Sequence, residues 1–540
     1  MAKRRKPVSV DEPLCHADHP RPISRRDFIR QGFISGAATI LTGGVFSLFA
    51  NPREAYAAVS SDLDALAADS GCQLGGLSGA AKVPFICFDL AGGANLSGSN
   101  VLVGKGDGQM DFLSTAGYNK LGLPGDMIPG ISDAGATLLN PSDGDYTNSS
   151  LGLRFHADSA MLFGILGKAG SALTQGAIDG AVIPARSDND TGNNPHNPLY
   201  GIARAGAEGG VVTLIGSRNT ESGGNSASPA ALVDSEIRPT KVDRPSDVTG
   251  MVDVGNLTAI LSDPADVTAV MESIARISHK KMALSDVSPG INVTRDEVVK
   301  DLVRCGYLKS ADIANRFAGV SVDPAADPNI RGGIFTAAEF DNDREFQKTA
   351  SVMKMVIDGH AGAGCITMGG YDYHTSNRFA GENRDLRAGR CIGACLAYAA
   401  LMAKPLMIYV FSDGSVASNG TVDNSQPQGN NELGGRGKGV WTGDNSSTAS
   451  SFFLVYNPAG AVTPYNNGLP LERHRQIGRF SADASVVTSS SPAANNVNLL
   501  VNTVILNYMA LNGDEGQFTT LFPGHGLGNI DNLISFGNIS

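Results

Sequence analysis

Short unbroken runs of apolar residues, each closed by glycine or a polar turn, alternate along this chain with stretches whose apolar positions recur every three or four residues. A continuous apolar run suits a strand buried on both faces, whereas the longer recurrence marks one face of a helix. Val83–Phe88, Ala181–Pro184, Val211–Ile215, Gly364–Met368, Leu406–Phe411 and Phe452–Tyr456 are therefore expected as strands. Helices are expected over 294–308, where Thr294 and Glu297 have capping-box spacing, and over 343–358, where Phe346, Ala350, Met353 and Ile357 share a face. Two more are expected over 383–404 and 496–511. Strands that alternate with helices predict an α/β fold: a doubly wound, mostly parallel sheet with helices on both faces and long loops at its carboxyl edge. Glycine- and serine-rich tracts at 216–229 and 412–450 are the longest such loops, and the second follows a strand directly, at the edge where open α/β sheets bind ligands.

The first sixty residues do not follow this alternation. Ser24-Arg25-Arg26-Asp27-Phe28-Ile29-Arg30 sets an arginine pair before an aromatic residue and a further base, the pattern read by the twin-arginine translocase. A weakly apolar stretch from Gly32 to Ala50 follows, interrupted by Gly36, Gly43 and Gly44, and Ala55-Tyr56-Ala57 has the form of a cleavage site. Residues 1–57 are thus expected to be a signal peptide and 58–540 a single domain with long loop insertions, periplasmic or extracellular after export and without a permanent membrane anchor. Twin-arginine export carries proteins that fold first, often around a metal.

Composition narrows the partners. Hydrophobic content of 42% with 18% charged residues describes a globular chain, and a formal net charge of -11, much of whose positive share sits in the signal, argues against a nucleic-acid partner. Cys72, Cys87, Cys305, Cys365, Cys391 and Cys395 remain after the signal. Some can pair in an oxidising compartment, but Cys391 and Cys395, one helical turn apart in an apolar stretch, read as buried small hydrophobes.

Four segments carry residue types suited to chemistry. After the first strand, Asp89, Asn95, Ser97 and Ser99 lie within a glycine-rich turn and offer oxygen ligands or a hydroxyl nucleophile. In Gly369-Gly370-Tyr371-Asp372-Tyr373-His374, Asp372 and His374 are two apart in an extended segment and so point to the same side, as two ligands of one divalent ion would. Asp413 follows the next strand; beyond the long loop, Arg436 and Lys438 can hold an anion and Asp444 can complete a carboxylate cluster. The fourth segment, 187–196, has the oxygen-rich composition of a calcium cage without the closing glutamate of an EF-hand. His156, His474 and His525 read as structural histidines.

Taken in order, the arginine-pair signal, the first Gly-Gly turn, GGYDYH, FSDGS and the Gly443-Asp444-Asn445 segment resemble the exported family called domain of unknown function 1501, which is similar to the alkaline phosphatase and sulfatase superfamily. The resemblance implies an alkaline-phosphatase-like fold and a metal-dependent phosphate or sulfate ester hydrolase. Asp372 and His374 match the Asp and His of that family's Gly-Gly-Trp-Asp-Thr-His element, and Ser412, Asp413 and Gly414 match its next element loosely. Asn445 stands where the family has histidine, and Asn95 where many members have aspartate. The implied metal set is Asp89, Asn95, Asp372, His374, Asp413, Asp444 and Asn445; the implied nucleophile is Ser97 or Ser99, with Arg436 or Lys438 neutralising developing charge. Calcium, magnesium or zinc is the expected cofactor, and the two amides favour a hard ion or none. A small anionic ester is then the partner. The other reading is a non-catalytic envelope protein on the same fold, binding a glycan or a protein through its glycine- and asparagine-rich loops.

Overall fold

The structure, a computed structural model, describes residues 59–69, 72, 82–106, 108–132, 139–187, 194–253, 261, 263–283, 293–317, 320–376 and 378–540. The arginine pair, the cleavage site, most of the 187–196 segment and the Thr294 side chain of the expected capping box lie outside them. The strands are β1 (Phe85–Leu90), β2 (Thr147–Leu151), β3 (Leu153–His156), β4 (Ala177–Pro184), β5 (Val212–Gly216), β6 (Thr240–Lys241), β7 (Ala361–Met368), β8 (Leu406–Phe411), β9 (Val416–Asp423), β10 (Lys438–Asp444) and β11 (Ser450–Asn457).

Seven of these form one sheet in the order β4-β11-β8-β1-β7-β5-β6. β8, β1, β7, β5 and β6 pair in parallel, while β11 pairs antiparallel with both β8 and β4. Every strand but β11 therefore runs the same way, and their carboxyl ends share one edge. All six strands read from the sequence lie in this sheet. β1, β7, β8 and β11 are buried along their whole length, which is why they read as unbroken apolar runs.

The helices that cover the sheet include α1 (Ala160–Ala169), α2 (Arg344–Ile357), α3 (Arg378–Leu401) and α4 (Val497–Leu511). On one face Leu500, Val504, Tyr508 and Leu511 of α4 pack with Phe85, Cys87, Ala363, Cys365 and Tyr409. On the other, α2 lies so close to β7 that a Cβ on Gly364 would meet Val352 Cγ1 at 2.6 Å. Phe346, Ala350, Met353 and Ile357 of α2 are buried, the expected face. Asp343 and Asn496 cap α2 and α4 by accepting from the backbone N–H of Glu345 and Leu499.

The described residues fall into two compact units rather than one domain. The sheet unit comprises residues 73–249 and 320–540; residues 58–72 and 250–319 form the other. The second is helical, built from Ser61–Asp69, Pro264–Ala283 and Val293–Arg316 around Val267, Met271, Ala311 and Ala314, and a disulfide joins Cys72 to Cys305. Val293–Arg316 contains the helix expected over 294–308. Cys87, Cys365, Cys391 and Cys395 are free and buried, as expected for the last two. Among the described residues, no helix is long and apolar enough to cross a membrane.

The long tract after β8 also has structure. β9 and β10 pair antiparallel as a hairpin across it, with shifts in register around Trp441. Alternation in these two strands is weak, with Asn419 and Gly420 interrupting β9 and Gly439 and Gly443 interrupting β10. Their order comes from side chains that reach into the sheet unit.

Candidate metal centre at the carboxyl edge

Backbone contacts sew three strand-end loops into one floor. Ala91 N–H donates to the Met368 carbonyl at 3.0 Å and Tyr371 N–H to the Ala91 carbonyl at 3.1 Å, joining the loops after β1 and β7. Gly92, at φ +128, lies against the second loop: a Cβ there would sit 2.4 Å from Asp372 N, so only glycine permits the approach. Gly92 N–H donates to Asp413 Oδ1 at 2.9 Å, bringing in the loop after β8. Ser412 Oγ accepts from Ala94 N–H at 2.8 Å and donates to the Leu90 carbonyl at 2.6 Å.

Asp89 is buried below this floor. Its Oδ2 accepts from the N–H groups of Asn225 and Ser226 at 2.7 and 2.8 Å, and Ser226 Oγ donates to its Oδ1 at 3.1 Å. Burial pushes its carboxyl up to about 6; the two N–H donors oppose this and the Asp413 charge adds to it. Beside them, Ser187 Oγ donates to the Asp413 carbonyl at 2.8 Å and contacts His196 Nε2 at 2.8 Å. With the Ser187 proton so used, Nε2 carries the ring proton. Burial holds His196 neutral, its pKa lowered to about 3, and the ring stacks on Phe411.

Above the floor lies a different group. Tyr371 and Tyr373 turn inward and are buried, which leaves Asp372 and His374 outward on the alternate positions, as the two-residue spacing predicts. Tyr373 Oη accepts from Asn95 N–H at 2.8 Å and its ring packs on Trp441 of β10. Six residues into the same hairpin strand, Asp444 arrives beside His374. His374 Nε2 lies 2.9 Å from Asp372 Oδ1, and Nδ1 lies 4.0 Å from Asp444 Oδ1. Each of the three offers a donor atom within 4.8 Å of the other two, and all are partly or fully exposed.

The other expected site residues do different work. Ser97 is buried with Oγ 2.5 Å from Ser450 Oγ, and Ser99 is buried accepting from Asn95 Nδ2, so neither faces solvent as a nucleophile. Asn95 is buried too; its Oδ1 has no hydrogen-bond partner among the described residues and it is not in the exposed trio. Asn445 is a cap: its Oδ1 accepts from Ser447 N–H at 3.0 Å and Ser447 Oγ at 2.7 Å, starting the turn over Ser446–Thr448. It is therefore occupied away from a metal-ligand role, as Asp89 and Asp413 are by the floor.

Arg436 and Lys438 do not face the edge as anion-binding groups. Lys438 is fully buried, with Nζ 2.9 Å from Glu382 Oε2 and 2.6 Å from the Asp158 carbonyl. Arg436 pairs with Asp158, and Arg378 pairs with Glu382 at 2.7 Å while lying over Trp441 at 4.3 Å. This buried cluster pins the start of β10 to α3 and to the turn before α1. Sequence reading missed Asp158, Glu382 and Arg378: Arg378 and Glu382 have the spacing of an ordinary surface helix pair, and nothing local marks that Glu382 and Asp158 meet Lys438 and Arg436 more than fifty positions away. His156, expected as structural, is buried with Nε2 2.7 Å from the Met127 carbonyl. His474 is likewise buried, 3.1 Å from the Leu469 carbonyl.

No protein-family model, curated protein or solved structure matches this chain.

Proposed function

We propose that this chain is an exported hydrolase of anionic esters, dependent on a divalent cation and built on an alkaline-phosphatase-like fold, with Asp372, His374 and Asp444 as the cation's ligands. One observation carries the reading: an Asp, His and Asp donor set drawn from the loop after β7 and the end of β10 meets at the carboxyl edge of a mostly parallel sheet, where α/β folds bind ligands. The donor chemistry fits. Two carboxylates and one imidazole suit a divalent ion, and a three-residue set leaves coordination positions open. Such an ion, when bound, polarises an ester oxygen and neutralises charge developing on it.

The rest is supplied by the chain. Asp372 holds the His374 ring through Nε2, and each exposed carboxylate keeps a second oxygen that can accept a proton from an attacking water. Water takes the nucleophile's place because Ser97 and Ser99 are turned inward. Export by the twin-arginine translocase, read from Arg25, Arg26 and Ala55-Tyr56-Ala57, would deliver the folded protein to the periplasm or beyond.

The test is calorimetric titration of the mature protein, residues 58–540, with zinc, calcium and magnesium, followed by assays on aryl phosphates and aryl sulfates. One equivalent of ion is expected to bind, and His374→Ala to weaken it by roughly 100-fold, since loss of a direct ligand exceeds the loss of a supporting contact. Absence of both binding and cleavage sinks the reading.

The inward placement of Ser97, Ser99, Arg436 and Lys438 favours a second reading, a non-catalytic envelope protein that binds a glycan or protein partner. Stoichiometric ion binding with no turnover of either ester class would support it.

A further inference from the structure

Immediately before Asp372, the chain passes through Gly369 and Gly370, both exposed, and two guanidinium groups come to this dipeptide from different elements. A Cβ on Gly370, which has φ +90, would lie 2.1 Å from Arg384 Nη1. A Cβ on Gly369 would lie 3.9 Å from Arg218 Nη2. Arg384 belongs to α3 and Arg218 to the loop after β5. The missing side chain of Gly370 is what lets Arg384 close on the backbone, while Arg218 lies at ordinary contact distance from Gly369.

Neither cation is paired with a carboxylate among the described residues. Arg384 makes one side-chain hydrogen bond, from Nη1 to the Gly369 carbonyl at 3.4 Å, and its Nε is buried without a partner. Arg218 is exposed, and its side chain makes no hydrogen bond among the described residues. The backbone N–H groups of Gly369 and Gly370 also have no acceptor among the described residues. Arg378, Arg390, Arg331 and Arg475 of the sheet unit each have a carboxylate, in Glu382, Glu432, Asp341 and Asp179, whereas Arg218 and Arg384 meet at one dipeptide with none among the described residues. Two like charges beside bare backbone donors, neither paired with a carboxylate among the described residues, make a site whose sign and donor types suit an oxyanion.

We propose that Arg218, Arg384 and the Gly369–Gly370 backbone cradle a tetrahedral oxyanion, the phosphate or sulfate group of the ester. This deepens the hydrolase reading and rests on it for the word ester; the anion site itself does not need the cation. Only Tyr371 separates Gly370 from Asp372, so the cradle and the Asp372–His374–Asp444 trio lie within roughly 7 Å along the backbone. An ester held by its anionic end at the first presents its bridging oxygen toward the second. The cradle takes over the role expected of Arg436 and Lys438, which the buried cluster withdraws from solvent.

Inorganic phosphate and inorganic sulfate, titrated separately into the mature protein in the presence of a chelator, test this by calorimetry. Binding of at least one anion is expected, weakened about tenfold by Arg384→Gln and several-fold by Arg218→Gln, the loss of a charged hydrogen-bond donor in each case. The better-bound anion identifies the ester class. Both variants should keep the divalent-ion affinity of the unmodified protein. If neither anion binds at ~10 mM, or if the double variant binds as tightly as the unmodified protein, the cradle is wrong. Should Arg384→Gln fail to fold, exposed Arg218 decides alone: an unchanged affinity in Arg218→Gln overturns the proposal. Failure of the hydrolase reading would look different, with anion binding intact and sensitive to both arginines but no ester cleaved.

Discussion

Replacing Lys438 with methionine asks whether that residue braces the hairpin or binds substrate. Its ammonium group is fully buried between Glu382 Oε2 at 2.9 Å, the Asp158 carbonyl at 2.6 Å and Asp158 Oδ2 at 3.4 Å. Methionine keeps much of the volume and removes the charge, leaving two buried carboxylates short of a partner. Breaking one side of a buried pair typically costs about 3–5 kcal/mol. Glu382 Oε1 keeps Arg378 and Asp158 Oδ1 keeps Arg436, so the lower end, about 3 kcal/mol, applies. The titration of Glu382 points to the same scale. Burial opposes its ionisation, yet the charges of Lys438, Arg378 and Arg436 overcome this and pull its carboxyl from 4.5 to about 2. A carboxyl depressed in the folded state adds stability that is complete above its unfolded pKa and lost as pH falls through the folded one. The variant should therefore also begin to unfold at a higher pH on acidification. Trp441 is the chain's single tryptophan, buried on Arg378, and its fluorescence reports the hairpin directly. With a urea slope of about 3 kcal/mol per molar, the midpoint should drop by about 1 M. An unchanged midpoint together with lost phosphate binding would show that Lys438 is a substrate group and that the brace is misassigned.

Asp385 gives a pH prediction of the opposite sign. It is buried, accepts from Asn100 Nδ2 at 2.8 Å, and is pushed up to about 8 by burial first and by the Glu382 charge second. Its neutral form is thus the one the fold prefers, so its contribution is complete below the unfolded carboxylate pKa and lost as pH rises through about 8. Asp385→Asn should flatten the fall in thermal midpoint as pH rises from the unfolded carboxylate pKa of 3.8 to about 8, and equal slopes in both proteins would reject the assignment. The Cys72–Cys305 disulfide closes a separation of 233 residues, for which chain entropy alone gives about 5 kcal/mol. Reduction should raise hydrogen exchange across 264–283 and 293–316 while β7 and β8 stay protected; unaltered exchange in the helices would show that the bridge adds nothing there.

How far the fold was legible follows from where each element finds its stabilisation. β1, β7, β8 and β11 are enclosed on both faces, so the apolar run that forms them is itself the signal. α2 was legible for a similar reason, with one apolar face and a capping aspartate. α1 was missed because it is apolar nearly all round and carries two glycines, so no face stands out. The hairpin of β9 and β10 was read as loop, because its strands are held by Lys438 and Trp441 reaching distant partners rather than by their own pattern. Two-residue β6 gives no pattern at all.

The site divides along the same line, and the division says how such segments should be read. Asp, Asn and Ser near a strand end have two uses, and local sequence does not separate them: they can satisfy backbone donors where loops are sewn together, or they can meet solvent. Asp413, Ser412, Asp89 and Asn445 are spent on the first use, each holding N–H groups of a turn. A carboxylate engaged in this way loses its freedom to move onto a ligand, and burial raises the cost of charging it, as Asp89 shows. Asp372 and His374 escape because tyrosines occupy the alternate positions on either side of Asp372 and fill the interior. The aromatic partners in Tyr371-Asp372-Tyr373-His374 are thus as informative as the polar ones: they fix which side is buried and leave the Asp and His to face outward. FSDGS lacks that alternation, and there the aspartate goes inward to Gly92. On this argument Tyr373→Ser, which removes the inward anchor on Trp441 and the acceptor for Asn95 N–H, should disorder the Asp372–His374 spacing and weaken divalent-ion binding without touching a ligand.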